Sequence, residues 1–315
     1  MVDPTRTVDN DEFRDLLRPF TSALSDYAVA MSRHPDSHGH LPSATSNAMR
    51  ELAAERRWGT PKWSEPARNA HSYGTMLSYV CAEHLSAIAA IIAESRVGPR
   101  FAFLPSVRAL METAPIARWL LEPSIGIDRR IRRSIAYRLE SANQQGRLRE
   151  VPDAAEAKRR ARAACLDYAA SQGWAISGTP TGRPVVGGEA LPHPADSFSQ
   201  VAFGNDSDGL DPTLWGVLSA TSHGTWYAVS AGLGERMQRI DPFDPNGGMA
   251  PIVVESQQLH LYGLMAYYAC DAVTAARADL MSWPDTGELT DARQRLRDIT
   301  KGFSNQLRDA GVDPR

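Results

Sequence analysis

The sequence is poor in the features that most readily betray chemistry. It has three cysteines in 315 residues, Cys81, Cys165 and Cys270, and no CxxC pair. An odd, scattered set argues against a disulfide framework and a thiolate zinc site. The expected state is buried, reduced thiols in a cytosolic protein. No HExxH and no paired ExxH occurs, so neither a helical zinc site nor a di-iron site is expected, and no cofactor. GxGxxG and GxxxxGKS/T are missing, which disfavours the phosphate-cradling nucleotide folds. GxSxG is missing as well, so Ser219 and His223, four residues apart, do not form a nucleophile elbow.

A dominant charge is also lacking. The chain has 34 Lys and Arg against 37 Asp and Glu, a net charge of -3. That balance gives no overall pull toward nucleic acid or anionic lipid. The longest apolar run, within "LSAIAAIIA", is about half a membrane span. The N-terminal "MVDPTRTVDNDEF" is polar and acidic, unlike a secretory leader. These features predict a cytoplasmic protein without a membrane partner. No strand-like alternation is sustained and no repeat of fixed period exists.

What is present is helical periodicity. From an N-cap at Asn10 or Asp11, Phe13, Leu17, Phe20, Leu24, Tyr27 and Met31 fall on one face. A short helix is predicted near 44–57 and a long one over 67–94. Others are predicted over 105–121, 127–149, 153–171, 211–230, 251–282 and 287–309. Pro105 and Pro212 sit in favourable first-turn positions. Residues 173–209 are dense in Gly, Pro and Ser, as in a lid or binding insert, and "GRPVVGG" suits a short hairpin. The predicted fold is all-α, a multi-helix bundle of eight or nine helices with this insert. The segments are 1–65, a core bundle over 66–283, and a C-terminal amphipathic helix over 284–315.

Polar residues in apolar surroundings supply the candidate site. In "LWGVLSATSHGTW", residues 214–226, no residue is charged. Trp215, Ser219, His223 and Trp226 share one face of a helix expected to be buried most of the way round. His84 sits in the apolar stripe of the long helix. Arg108 and Glu112 form an i,i+4 pair, and Arg138 lines up with Ile131, Ile135 and Ala142. Buried charges need partners, so Arg108, Glu112 and Arg138 are expected to form a buried or cleft-lining network closed by His84 and His223. One outcome is a clamp that fixes helix register. The other is a site in which the arginines hold an anion and a histidine moves a proton. A third arrangement is an aromatic pocket of Trp119, Trp215 and Trp226 lidded by 173–209. Residues 129–162 hold eleven basic and four acidic residues, a pattern that can contact RNA phosphates or form a solvated face.

"EHLSAI", "SVRALMETAPIARWLL", the Arg-rich helix after it and "LSATSHGTW" together resemble bacterial helical proteins in the style of the HEPN superfamily, over about residues 70–275. The resemblance implies metal-independent ribonuclease activity and a homodimer. Arg108 or Arg138 would then stabilise the phosphate while His223 shuttles the proton. The superfamily's Arg–His spacing occurs here at Arg33 and His38, with Pro35 between them.

Overall fold

The structure, a computed structural model, describes residues 10–94, 102–145, 153–179, 182–193, 197–198, 200–201, 218 and 256–309. Among them are eight α-helices and one small sheet, and 75% of the described residues are in the mainly helical framework. The helices are α1 (Asn10–Arg33), α2 (Asn47–Ala54), α3 (Pro66–Glu94), α4 (Leu104–Leu121), α5 (Ile127–Gln145), α6 (Ala154–Ser171), α7 (Ser256–Met281) and α8 (Gly287–Asp309).

Two apolar cores follow from the helical stripes. The main core gathers Leu17, Phe20, Leu24, Tyr27 and Met31 of α1 with Cys81, Leu85, Ile88 and Ile92 of α3. Leu110 and Met111 of α4, Cys270 and Val273 of α7 and Leu289 and Leu296 of α8 complete it. The first segment therefore contributes α1 to the same core as the bundle helices, as α8 does. α3 is the hub, packed against α1, α4, α5 and α7. By length and composition it is the one described helix apolar enough to cross a membrane. Two glycines bring backbones close. A Cβ at Gly74 would lie 2.6 Å from Leu121 Cγ, and one at Gly263 would lie 2.7 Å from Phe20 Cε1. Each glycine thus allows a helix approach that a larger residue would block.

The second core is smaller. Ile131, Ile135 and Leu139 of α5 meet Cys165 and Tyr168 of α6, with Trp63 and Val186. The Gly/Pro-rich insert supplies an antiparallel sheet of β1 (Ile176–Gly178), β2 (Pro184–Val186) and β3 (Glu189–Ala190), in that order. Ile176 pairs with Val186, and Val186 with Glu189. "GRPVVGG" thus forms the predicted hairpin, and the sheet packs on α5.

All three cysteines are free and buried. Burial pushes the thiols up, Cys165 to about 11 and Cys81 to about 12, so they are poor nucleophiles at neutral pH. The predicted helix over 211–230 lies outside the described residues except for Leu218, which is buried in the main core.

Candidate functional site

The α2–α3 corner is built by local hydrogen bonds. Ser46 caps α2, its Oγ accepting from the Met49 N–H at 3.0 Å. Glu55, in the 3-10 turn Glu55–Arg57 that follows α2, accepts from the Arg68 N–H at 2.8 Å. It thereby satisfies one of the orphan donors in the first turn of α3. The corner fixes a stripe of α3, Arg68, His71, Ser72, Thr75 and Met76, whose spacing is that of one helix face.

That stripe is one wall of a cavity of about 740 Å³, within the range of small-molecule sites. Met49, Leu52 and Ala53 of α2 form a second wall. Leu41 with its neighbours and the end of α7, Met281 and Trp283, form the rest. The wall is stitched together across the chain. Trp283 Nε1 donates to the Leu41 carbonyl at 2.7 Å, and the Ser43 N–H donates to the Met281 carbonyl at 2.9 Å. The His38 ring stacks on Trp283 at 5.3 Å. Leu41 and Met76 are 70% and 64% exposed, so the rim presents apolar surface to water.

At the buried end stands a charge relay. His71 is 5% exposed, Glu51 6% and Arg130 0%. Glu51 Oε2 accepts from His71 Nε2 at 2.7 Å and from Arg130 Nε at 2.8 Å. A carboxylate only accepts, so His71 Nε2 carries a hydrogen and donates it. Burial pushes the Glu51 carboxyl up, but the bond from His71 and the Arg130 guanidinium outweigh it and hold it below the ordinary value. The remaining Arg130 donors reach the carbonyls of Leu120 at 2.5 Å and Glu122 at 2.8 Å. Arg130 therefore also closes the C-terminal end of α4, where unpaired carbonyls and the helix dipole favour a cation.

The Arg-rich helix is used internally. All five arginines of α5 have protein partners. Arg129 and Arg133 hold the two oxygens of Glu189 at 2.5 and 2.8 Å. Arg132 bonds Asp128 and the Gly187 carbonyl. Arg133 reaches Glu122 at 2.7 Å and lies 4.9 Å over the Trp119 ring. Arg133 is buried, whereas half of the Arg129 side chain stays exposed. The hairpin folds back over α5 and supplies the Glu189 carboxylate and Gly187 carbonyl that hold these arginines.

The expected Arg108, Glu112 and Arg138 network does not converge. Arg108 and Glu112 do pair, at 3.2 Å, but the Glu112 side chain is 47% exposed. Arg138 instead donates to Tyr73 Oη at 2.8 Å and stacks 4.9 Å over Trp63. Aromatic rings stabilise the cation where a carboxylate was expected. No ion pair joins it to Glu112 among the described residues. His84 is half-buried on α3, and burial pushes its imidazole below the ordinary value, with Glu83 opposing. Trp119 packs beside the second core and does not line the cavity. Nor do the described residues of the insert: its sheet lies on α5, and Phe198 and Val201 pack into the main core. Ser219, His223, Trp215 and Trp226 lie outside the described residues.

Glu51, His71 and Arg130 thus form the buried Arg/Glu/His cluster, in place of the residues first singled out. One signal for Arg130 was available. It falls three residues after Ile127 and four before Ser134, on the buried stripe of α5. His71 lies off the strongest apolar stripe of α3, and Glu51 sits in "RELAAERR", which reads as a surface helix. Among the described residues no group of His, Cys, Asp and Glu side chains suits a metal ion. No known protein family, no curated protein and no solved structure matches this chain.

Proposed function

We propose that the chain binds a small, mainly apolar molecule bearing one acidic group, in the cavity between α2, α3 and the end of α7. The apolar body lies against Leu41, Leu52, Met76 and Trp283, and the acidic group meets His71 with Arg68 nearby. The observation that carries this reading is the polar stripe of α3, Arg68, His71, Ser72 and Thr75, set against an apolar wall from α2. Within that stripe the His71 imidazole is held at 2.7 Å by Glu51, which Arg130 also bonds. A few fixed polar groups within an apolar cleft are what orient a small ligand. An acid meeting a histidine and an arginine gains charge-assisted hydrogen bonds.

The test uses 8-anilinonaphthalene-1-sulfonate, which joins an apolar ring system to an anion. It should bind at one saturable site and brighten, and decanoate should displace it. Ala53→Trp, which plugs the cavity from an exposed wall position, should abolish binding while leaving the circular dichroism unchanged. Unaltered dye binding in that variant would place the site elsewhere. The ribonuclease reading depends on His223, and a parallel incubation with labelled RNA, wild type against His223→Ala, separates it from ligand binding.

A further inference from the structure

The cavity is polar along the α3 wall and apolar along the α2 wall. On α3 the lining residues Arg68, Ser72 and Thr75 follow one another at four and three positions, the repeat of a single helix face. Along the axis Arg68 and Ser72 are about 6 Å apart, and Ser72 and Thr75 about 4.5 Å. Ser72 is exposed and Thr75 half-buried, so neither is sealed within the packing of the bundle. The α2 wall offers the hydrocarbon and thioether surface of Met49, Leu52 and Ala53. Trp283 adds an indole whose one polar atom is taken by the Leu41 carbonyl.

This division of the walls selects among acids. An alkyl chain laid along α3 strips water from two hydroxyls and returns no hydrogen bond, which costs free energy. It also loses its rotational freedom on binding. A sugar, polar on both faces, leaves hydroxyls against the α2 wall without partners. A rigid fused-ring skeleton with hydroxyls on one face and hydrocarbon on the other satisfies both walls at once. A volume of about 740 Å³ lies in the range that holds a molecule of that size. The acid end falls to Arg68, beside His71. Arg68 Nε pairs with Glu65 at 3.2 Å, and both side chains are more than half exposed. Such a pair is weak, and a guanidinium has further donors for a carboxylate. The other carboxylates of the corner are engaged, Glu55 by the Arg68 backbone N–H and Glu51 by His71 and Arg130.

We infer, on the pocket reading of the preceding subsection, that the ligand is a facially amphiphilic steroid acid, its hydroxylated face on Ser72 and Thr75 and its hydrocarbon face on Met49, Leu52 and Trp283. Ser72 and Thr75 thereby set which acid is preferred, and Arg68 with His71 holds the acidic group common to all of them.

Chenodeoxycholate and ursodeoxycholate separate this from general hydrophobic binding. They are epimers of one steroid acid, with both ring hydroxyls on one face in the first and on opposite faces in the second. Each is titrated against bound 8-anilinonaphthalene-1-sulfonate below its micelle-forming concentration, with decanoate as the alkyl control. Chenodeoxycholate is expected to bind about tenfold more tightly than ursodeoxycholate or decanoate, the effect of one or two hydrogen bonds. The double variant Ser72→Ala/Thr75→Val lies outside both apolar cores. It should bind the two epimers equally and leave decanoate affinity undiminished, with circular dichroism as the check on folding. Equal affinities for the epimers in the wild type overturn the inference, and the pocket reading survives. A preference that persists in the folded double variant overturns it too, because apolar area alone then sets the order. Displacement by decanoate but by neither steroid has the same consequence. If no acid displaces the dye, the pocket reading itself fails and the steroid class with it. The wild-type comparison of epimers decides the matter even if the variant does not fold.

Discussion

The two cores solve the burial of arginine in opposite ways. In the main core Arg277 is 0% exposed and has no carboxylate partner among the described residues. Its donors go to Ser78 Oγ at 2.5 Å and the Met31 carbonyl at 2.8 Å, and Nε has no partner. Burial pushes its guanidinium down to about 10, with Tyr79, Tyr27 and Cys81 opposing, so it is still charged at neutral pH. At the second core Arg130 is equally buried but meets Glu51, and Arg133 meets both Glu122 and Glu189. One core tolerates a cation within apolar packing. The other uses cations to tie a short helix, a helix end and a hairpin to α5. The cavity sits beside the second arrangement, where paired charges hold His71 in its wall without stranding a charge.

Breaking a pair should cost most. Arg130→Met removes the partner of a buried carboxylate and the closure of α4, and urea denaturation should show a loss of about 3–5 kcal/mol. The apolar core should respond almost as strongly. Leu110→Ala, at a fully buried position, should lose about 2–5 kcal/mol by the same measurement. Arg277→Met should be much milder, below about 2 kcal/mol, because the lost hydrogen bonds are offset by relief of an uncompensated buried charge. Equal losses for Arg277→Met and Arg130→Met would erase the contrast between the cores.

Acid should separate the two regions at smaller amplitude. Burial holds the imidazoles of His34 and His84 below their ordinary 6.5. The native state then binds fewer protons than the unfolded chain, so stability is lost as pH falls below about 6.5. Glu51 is held below the ordinary carboxylate value of 4.5, so its contribution is present above that value and lost on further acidification. Thermal melts against pH should show His34→Gln flattening the first window and Glu51→Gln the second. A single window removed by both variants would mean that the regions are not independent.

Much of the fold was legible because helices announce themselves locally. The stripe from Leu17 to Met31 and the first-turn Pro105 mark their elements within a few residues. Predicted spans of 67–94 and 287–309 correspond to Pro66–Glu94 and Gly287–Asp309. The site was not legible in the same way, since its bonds span the chain. Glu51 meets His71 across 20 positions and Arg130 across 79. Arg138 shows why periodicity alone misleads. It was placed correctly on the packed side of α5, but Trp63 and Tyr73 neutralise it, and nothing near it in sequence signals an aromatic partner. The inward arginines depend on Glu189, which a hairpin about 60 residues downstream returns to α5.

The most direct test is the nitrogen spectrum of the His71 ring, recorded with and without decanoate near pH 7. A hydrogen on Nε2, bonded to Glu51, is expected in the empty pocket, and the ring signals should shift once decanoate is bound. A ring with its hydrogen on Nδ1, or one whose signals ignore decanoate, would contradict the relay and the pocket together.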